Sequence, residues 1–491
     1  MPSTRARRAA IVAAVLPAVV ALVAYRDLVG AFFFNDDFQV LYELANGGGL
    51  VRFLLGPMFG HVNTARNALL ALEHAAFGPH PAPFYAIALL IHAANAVLLQ
   101  RLGARLTGAG GIAALVATAW AVSPMHAGTL TWCAAHGHAL LTTVLLVLLL
   151  RLDARDRSGR VLGGGAAAGW MLALFAIATL YGTGFGVAAA FPLAALVAAP
   201  HATSTPSRLL LFVVPPLLLA TFALLHHLFP PPHTAIMQTV MPALRDVLSR
   251  PDGTASLLGH LADTGTTGLV GGPFTGALRG RPWLVAASLL AVTGVLGAGL
   301  WRGRARDRRW IVAALLLALG AWGVVALGRG VQWATADMRG AVGERYHYAA
   351  QTMLALALVV ALGTLVRRVG TAIAGAWAAA GVAGLVLAPL LLPLHTGERR
   401  LTAAALGEIA AQVAAAPPGA TVRIPNTAFP PMEFLAMFQG RWTFPGLAGV
   451  YVIFGPATEP AGRRVEFVAT DPEQLAARRR GGRIATLLVP P

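Results

Sequence analysis

Long runs of apolar residues, separated by short polar connections, recur along most of this chain of 491 residues. Runs of roughly 18 or more apolar residues are long enough to cross the hydrocarbon core of a bilayer as helices. Only 12% of the residues are charged, whereas about 25% is usual for a soluble domain. The pattern predicts an all-α polytopic membrane bundle. The eleven predicted spans cover residues 9–28, 83–101, 110–125, 134–150, 162–180, 183–200, 208–229, 282–301, 310–328, 346–366 and 370–394.

The arginines predict how this bundle is oriented. All 37 basic residues are arginine, and they gather in every second connection between the predicted spans. Because basic loops remain on the cytoplasmic side, we expect a multi-pass protein of the cytoplasmic (inner) membrane with a cytoplasmic N-terminus. The net charge of +17 does not indicate a nucleic-acid partner, since the arginines do not line one soluble face. The arginines concerned are Arg5, Arg7, Arg8, Arg101, Arg105, Arg151, Arg155, Arg157, Arg160, Arg208, Arg302, Arg304, Arg306, Arg308, Arg309, Arg367 and Arg368.

The longer connections are expected on the outer side of the membrane. Residues 1–394 form the predicted transmembrane domain, with outer loops 29–82, 230–281 and 329–345. The chain opens like a signal peptide, but no small-residue cleavage site follows, so we expect an uncleaved first helix. Residues 395–491 combine one helix-like stretch with four strand-like runs that are separated by turn signals. They predict a small extracytoplasmic α/β domain.

Two adjacent carboxylates, Asp36 and Asp37, follow an aromatic run directly after the first span. A carboxyl that is partly buried beside a second carboxyl acquires a raised pKa, which suits a general base that takes a hydroxyl proton near neutral pH. A structural alternative is that Asn35 or Asp36 caps a helix through QVLYELA. Further along the same loop, His61 and Arg66 stand at the start of a stretch whose apolar residues recur at three- and four-residue spacing, which predicts a helix along the membrane interface.

Histidines form a second group of candidates. His92 and Asn95 lie about one helical turn apart in the second span and share a face; they either contribute to a site or only hydrogen-bond between helices. His126, His136 and His138 lie at or near the outer ends of the third and fourth spans. Their spacing matches no metal-ligand signature and no carboxylate is adjacent. The pattern therefore favours an anionic phosphate and does not indicate a metal, although a divalent ion is compatible with it.

A third group crowds the outer mouth of the tenth predicted span: Arg339, Glu344, Arg345, Tyr346 and His347. Arginine is the natural partner of a phosphate because its planar fork donates two parallel hydrogen bonds. The alternative is an interfacial belt with a local Glu–Arg pair and a tyrosine anchor. The chain carries no P-loop, no GxSxG nucleophile elbow and no HExxH motif, so these soluble-enzyme signatures do not explain the polar groups.

In this order, the motifs resemble the GT-C superfamily of membrane glycosyltransferases. The finer resemblance is to its protein O-mannosyltransferase-like branch, which includes the transmembrane O-mannosyltransferases with TPR repeats. It covers roughly residues 30–366, and this chain shows no TPR array. The segments that carry the resemblance are FNDDF at 34–38, Arg66, FGPHPAPFYAIALLIHAANA at 77–96, SPMHAGTLTW at 123–132, and Glu344, Arg345 and Tyr346.

The resemblance implies an enzyme that transfers a sugar from a polyprenyl-phosphate-linked donor to an acceptor hydroxyl, with inversion, on the outer side of the bilayer. Asp36 is then the first candidate for the general base, with Asp37 as second candidate or orienting group. Arg345 is expected to bind the donor phosphate, helped by Arg339, Arg66 or His126. The acceptor, protein or glycan, is not identified, and no cofactor is implied with certainty.

Two departures from the family pattern bear on these expectations. Where the family usually has an arginine and then an acidic residue after the tryptophan, this chain has His136 and His138. Where the family often has S-K-E-T-G, this chain has LYGTG, so only Thr183 and Gly184 match. Two other functions therefore stay open: a transporter or flippase of lipid-linked envelope precursors, and a catalytically inactive GT-C homologue that acts as a scaffold.

Overall fold

The computed structural model describes most of the helical part of the chain and two short segments of its tail. The described residues are 4–33, 37, 40–41, 43–44, 49–58, 61–78, 80–229, 245–246, 248–267, 269, 281–334, 345–369, 415, 417, 421–425 and 464–468. The predicted span 370–394, much of the outer loops 230–281 and 329–345, and most of the predicted domain 395–491 lie outside these residues.

Helices make up nearly all of the described part. They are α1 (Thr4–Ala24), α2 (Leu50–Leu55), α3 (Thr64–Phe77), α4 (Pro81–Thr107), α5 (Gly110–Ala121), α6 (Ala127–Leu130), α7 (Gly137–Ser158), α8 (Gly164–Leu180), α9 (Gly182–Ala198), α10 (Thr205–Leu228), α11 (Pro251–Ala262), α12 (Pro282–Arg302), α13 (Ala305–Ala334) and α14 (Tyr348–Val369). Short 3-10 turns cover Arg26–Gly30, Pro124–His126, Cys133–Ala135 and Arg345–His347.

Local sequence explains where several helices begin and end. Pro81 and Pro282 are the first residues of α4 and α12, a position where the missing N–H of proline is not needed and its φ already suits a helix. Ser204 precedes α10, and its side chain accepts a hydrogen bond from the Ser207 N–H. Gly108 follows α4 with a φ of 72°, the left-handed conformation that glycine adopts without strain when it ends a helix.

Seven of the described helices are long and apolar enough to cross a membrane: α1, α4, α7, α10, α12, α13 and α14. The chain is therefore a helical membrane protein. Three other described apolar helices, α5, α8 and α9, are shorter. With 12 residues, α5 rises only about 18 Å, whereas the hydrocarbon core is about 30 Å thick. The predicted third span, 110–125, thus contains a helix that ends at Ala121, and the total of eleven spans stays a prediction.

Burial separates a central helix from peripheral ones. In α14, 89% of the most apolar window is buried, against 17% in α10 and 22% in α12. Helices α13, α12, α5 and α4 all pack against α14. The large apolar side chains that remain exposed on α10 and α12, such as Leu209 and Leu290, are those that a surrounding bilayer would cover.

Helices α9 and α13 cross at close range. At this crossing a Cβ atom built on Gly186 would collide with the carbonyl oxygen of Gly320, and one built on Gly320 would lie 2.5 Å from the carbonyl oxygen of Gly186. Small residues let backbones approach in this way, and such contacts are a main source of helix association in membranes. The two glycines therefore fix α9 against α13.

One end of the bundle is held by arginines. The fully buried carboxylate of Asp153, near the end of α7, binds Arg105 from α4, Arg157 from α7 and Arg306 from the start of α13. These arginines come from three connections that the sequence assigns to one side of the membrane. The structure brings them to one end of the bundle; which side of a membrane that end faces is not part of the structure.

The described tail consists mainly of two strands. β1 (Thr421–Pro425) and β2 (Arg464–Val468) pair in parallel, with Thr421 opposite Arg464. Both strands fall on runs that the sequence predicts to be strand-like. The α/β domain as a whole stays a prediction, because most of its residues lie outside those described.

Candidate functional site

The connection between α6 and α7 lies at the opposite end of the bundle. Residues 132–138, named the outer segment after the side on which the sequence predicts them, run through the 3-10 turn Cys133–Ala135 into the first turn of α7 and are buried throughout. His138 in this segment and Asp153 at the arginine-rich end lie on the same helix, which separates them by roughly 22 Å along its axis. Side chains from four parts of the chain meet at the outer segment.

Asp37 binds the backbone of the outer segment. Its carboxylate is 2% exposed, and it accepts hydrogen bonds from the N–H of Cys133, at 3.3 Å, and of Ala134, at 2.6 Å. The first N–H groups of a helical turn lack partners within the turn, and a carboxylate is a strong partner for them. Asp37 therefore caps the outer segment. Asp36 and Asn35 lie outside the described residues, so the predicted cap of a helix through QVLYELA is not tested.

A small cavity adjoins this carboxylate. It has room for about one water molecule. Asp37, Cys133 and Ala134 line it together with apolar side chains from the start of the first loop and from α3 and α4.

Arg66 approaches the same peptide from α3. Its Nη1 donates to the Ala134 carbonyl at 3.4 Å, and its Nε and Nη2 donate to Asn67 Oδ1 at 3.1 and 2.7 Å. Asn67 in turn donates to the Phe53 carbonyl at 2.6 Å, which ties α3 to α2. Arg66 is 2% exposed. The Ala134 peptide therefore meets a buried carboxylate, Asp37, at its N–H and a buried guanidinium, Arg66, at its carbonyl oxygen.

Arg345 reaches the outer segment from the start of α14. Its guanidinium lies 4.0 Å above the ring of Trp132 and 4.6 Å from the ring of Tyr346, and its Nη2 donates to the Tyr346 hydroxyl at 2.9 Å. Arg345 is 5% exposed. A cation over an aromatic face is worth about 2 kcal/mol when it is desolvated, so the aromatic rings compensate part of the cost of burying this charge.

His138 connects the outer segment to the break between α8 and α9. Its Nδ1 lies 2.9 Å from the Thr183 hydroxyl, and its ring stacks on Tyr181 with centroids 3.8 Å apart. Its Nε2 is buried and has no hydrogen-bond partner among the described residues. Both Tyr181 and Thr183 belong to the LYGTG segment at 180–184.

Several basic side chains surround His138. Arg345, His61, His347 and Arg66 all lie close enough to interact with it electrostatically. We call His61, Arg66, His138, Arg345 and His347 the outer basic cluster. The sequence analysis singled out three of these residues as site candidates. It also noted His61 beside Arg66 and His347 beside Tyr346, but assigned neither of them a role.

His92 and Asn95 form an interhelical network. His92 Nδ1 lies 2.7 Å from the Tyr348 hydroxyl, and its Nε2 lies 2.9 Å from the Ala121 carbonyl. The Asn95 amide donates to the Ala139 carbonyl at 2.8 Å and to the Tyr348 hydroxyl at 3.2 Å. These bonds tie α4 to α5, α7 and α14, which is the structural alternative that the sequence left open.

His126 and His136 are buried without a clear ligand-binding geometry. The His126 ring contacts Trp120 and Tyr348. Its burial, and then the nearby His92, hold its pKa well below the ordinary value, against a smaller opposing effect of the Trp120 backbone. The neutral imidazole therefore contributes no positive charge to a phosphate. His136 Nε2 lies 3.4 Å from the Leu130 carbonyl. Arg339 and Glu344 lie outside the described residues.

Glu73 is a buried carboxylate that the sequence analysis did not single out. It lies on the buried face of α3 with Arg66, Asn67 and Leu70. It is 3% exposed, and neither carboxylate oxygen has a hydrogen-bond partner among the described residues. Burial raises its pKa to about 8. The signal in the sequence is its spacing of seven residues from Arg66, which places both charges on one helix face.

The donor set fits an anion better than a metal. Within the described ranges, no group of three or more His, Cys, Asp or Glu side chains is arranged to hold a metal ion. The outer basic cluster instead combines two guanidiniums with three imidazoles around the outer segment, to which the Asp37 carboxylate is bound. Among the described residues, this is the constellation that matches the chemistry of a phosphate.

Comparison with known proteins yields no family assignment: no family model, no curated protein and no solved structure matches this chain.

Proposed function

We propose that this chain is a GT-C-type membrane glycosyltransferase that transfers a sugar from a polyprenyl-phosphate donor to an acceptor hydroxyl on the outer side of the membrane. The observation that carries the proposal is the convergence on the outer segment of Asp37, Arg66, His138 and Arg345. They come from regions of the sequence that are far apart. They meet at the end of the bundle opposite the arginine-rich connections, which is where the motifs require them.

The outer basic cluster is the proposed site for the donor phosphate. Breaking the bond between the anomeric carbon and the phosphate oxygen leaves a second negative charge on the carrier. Fixed cations lower the energy of that charge most when they are buried and need no reorientation. Arg345 is held by two aromatic rings and Arg66 by Asn67 and Ala134, so both are preorganised. We assign Arg345 as the main contact.

Asp37 is proposed to orient the site, and Asp36 to act as the base. Both oxygens of Asp37 already accept backbone hydrogen bonds from Cys133 and Ala134, which suits a positioning group better than a base. Asp36 is the adjacent residue. In the proposed step the acceptor oxygen attacks the anomeric carbon, its proton passes to the Asp36 carboxylate, and polyprenyl phosphate leaves.

The proposed topology has eleven spans with a cytoplasmic N-terminus and an extracytoplasmic α/β domain at 395–491. With an odd number of spans, the C-terminal tail lies on the side of the membrane opposite to the cytoplasmic N-terminus. The alternating arginines support this arrangement, and so does the meeting of Arg105, Arg157 and Arg306 at Asp153. The tail domain is a candidate for contact with the acceptor.

A transfer assay with reconstituted protein tests the proposal. Purified protein in liposomes is incubated with labelled polyprenyl-phosphate sugars and envelope extract, and the label in the acceptor fraction is measured. We expect Asp36→Asn and Arg345→Gln to reduce transfer by at least 100-fold, since a contact made only in the transition state is worth about 2.7–4 kcal/mol. Arg26→Gln, an exposed arginine after α1, is the matched control and should transfer normally.

Two results would contradict the proposal. Transfer that survives both Asp36→Asn and Asp37→Asn would remove the assigned base. Movement of the labelled lipid across the bilayer without transfer would instead favour the transporter.

A further inference from the structure

The arginine-rich end of the bundle carries a preformed group of cations. Arg105 Nε lies 2.8 Å from one oxygen of Asp153, while Arg157 Nε and Arg306 Nη2 lie 3.1 and 2.5 Å from the other. We call Arg105, Arg157 and Arg306 the inner cluster. Arg157 also donates to the Arg105 carbonyl. One buried carboxylate therefore holds three guanidiniums side by side.

The inner cluster keeps unused donors at the surface. The side chains of Arg105, Arg157 and Arg306 are 36%, 41% and 32% exposed, while Asp153 is fully buried. Each guanidinium has five N–H donors in a planar fork. Because Asp153 has only two oxygens, it cannot satisfy all of these donors. The outward edges are thus available to a further anion.

The positive charge around the inner cluster also favours the binding of an anion. Helix α13 begins at Ala305, and Arg306, Arg308 and Arg309 fall in its first turns. The positive end of a helix dipole disfavours cations at that position. Asp307 in the first turn of α13 and Asp156, at 3.7 Å from Arg306, offset only part of this charge. The Nε of Arg309 is buried and has no hydrogen-bond partner among the described residues.

Neighbouring side chains indicate that this end lies at headgroup depth. Trp301, at the end of α12, is 80% exposed, and the Arg302 guanidinium lies 5.5 Å from its ring. Exposed tryptophan next to arginine is typical of the interface between membrane and water. On α13, Val312 and Leu319 lie seven residues apart on one face and are exposed, which gives an acyl chain an apolar surface to lie on.

We propose that the inner cluster binds the phosphate of an anionic phospholipid between the ends of α4, α7 and α13. Asp153 fixes the arginines in place before the lipid arrives, so little side-chain entropy is lost on binding. The site is separate from the outer basic cluster and does not depend on the proposed transferase activity. A zwitterionic lipid has no net negative charge and should bind much more weakly.

Native mass spectrometry of the purified protein in detergent tests this site. Phosphatidylglycerol and phosphatidylcholine with the same acyl chains are titrated, and the bound lipid is counted. The test variant is Arg105→Gln with Arg157→Gln, which leaves Arg306 on Asp153 so that the buried carboxylate stays paired. We expect about fivefold weaker phosphatidylglycerol binding for each arginine removed. The matched control is Arg26→Gln with Arg250→Gln, two exposed arginines elsewhere.

The outcomes separate the alternatives. Selective phosphatidylglycerol binding that is lost in the test variant and kept in the control supports the site. Equal binding of both lipids, or equal loss in test and control variants, overturns it. Competition by low-millimolar inorganic phosphate would mean an ion site and would also overturn the lipid assignment. If the test variant fails to fold, Arg157→Gln alone should still weaken binding, and wild-type affinity in that variant would refute the proposal.

Discussion

Replacing Glu73 by glutamine is expected to stabilise the protein above about pH 5. Glu73 is 3% exposed, and its carboxylate has no hydrogen-bond partner among the described residues. Burial raises its pKa from the ordinary value of 4.5 to about 8. A tenfold change in proton affinity corresponds to about 1.4 kcal/mol, so the ionised carboxylate destabilises the folded state by about 5 kcal/mol relative to the protonated one.

The pH window follows from the direction of this pKa change. The folded protein binds the proton of Glu73 more tightly than the unfolded chain does. Below about pH 4.5 the group is protonated in both states and costs nothing. Between pH 4.5 and about 8 the unfolded chain loses the proton while the folded protein keeps it, so stability falls as the pH rises. At pH 7 the loss amounts to about 3 kcal/mol.

Thermal unfolding in detergent between pH 5 and pH 9 measures the effect. We expect Glu73→Gln to match the wild type near pH 5 and to unfold several degrees higher at pH 8, because glutamine fills the same space without a charge. Asp27→Asn, at a carboxylate whose side chain is 40% exposed, is the matched control and should shift little. A variant whose melting temperature runs parallel to the wild type across the whole range would refute the reasoning.

Three further predictions concern the contacts that hold the site. Asp37→Ala removes the cap of the outer segment and should lower the free energy of unfolding by about 1–2 kcal/mol, measured by chemical denaturation, and should also abolish transfer. Tyr348→Phe removes the hydroxyl that meets His92 and Asn95; it should cost about 1–3 kcal/mol in the same assay while transfer persists. Gly186→Leu should prevent the α9–α13 approach, so that little folded protein is recovered on size-exclusion chromatography; normal recovery would contradict the crossing.

The sequence predicted the helices well because one strong signal specifies them. Apolar length decides whether a segment can cross a bilayer, and arginine placement decides which connections share a side. The meeting of Arg105, Arg157 and Arg306 at Asp153 agrees with that grouping. Helix length was predicted less well. The third predicted span, 110–125, contains a helix that stops at Ala121, since hydropathy does not distinguish a helix from the 3-10 turns that follow it.

The candidate site was only partly predictable. The sequence named Asp37, Arg66, His138 and Arg345, but nothing local indicates that they share the outer segment. Asp37 and Ala134 are 97 positions apart in the chain. The spacing of seven residues between Arg66 and Glu73 places both on one helix face, but Glu73 was not selected because an isolated glutamate on an amphipathic helix is usually solvated.

Sequence alone determined that this is a helical membrane protein and which polar residues stand out from the apolar background. Only the tertiary structure decided which helix is central. The mean hydropathy is 2.1 for the buried α14 and 2.3 for the peripheral α10, so composition cannot tell them apart. The physical reason is that lipid tails are as apolar as a protein interior. Whether a helix faces lipid or the core is therefore decided by packing and by buried polar contacts.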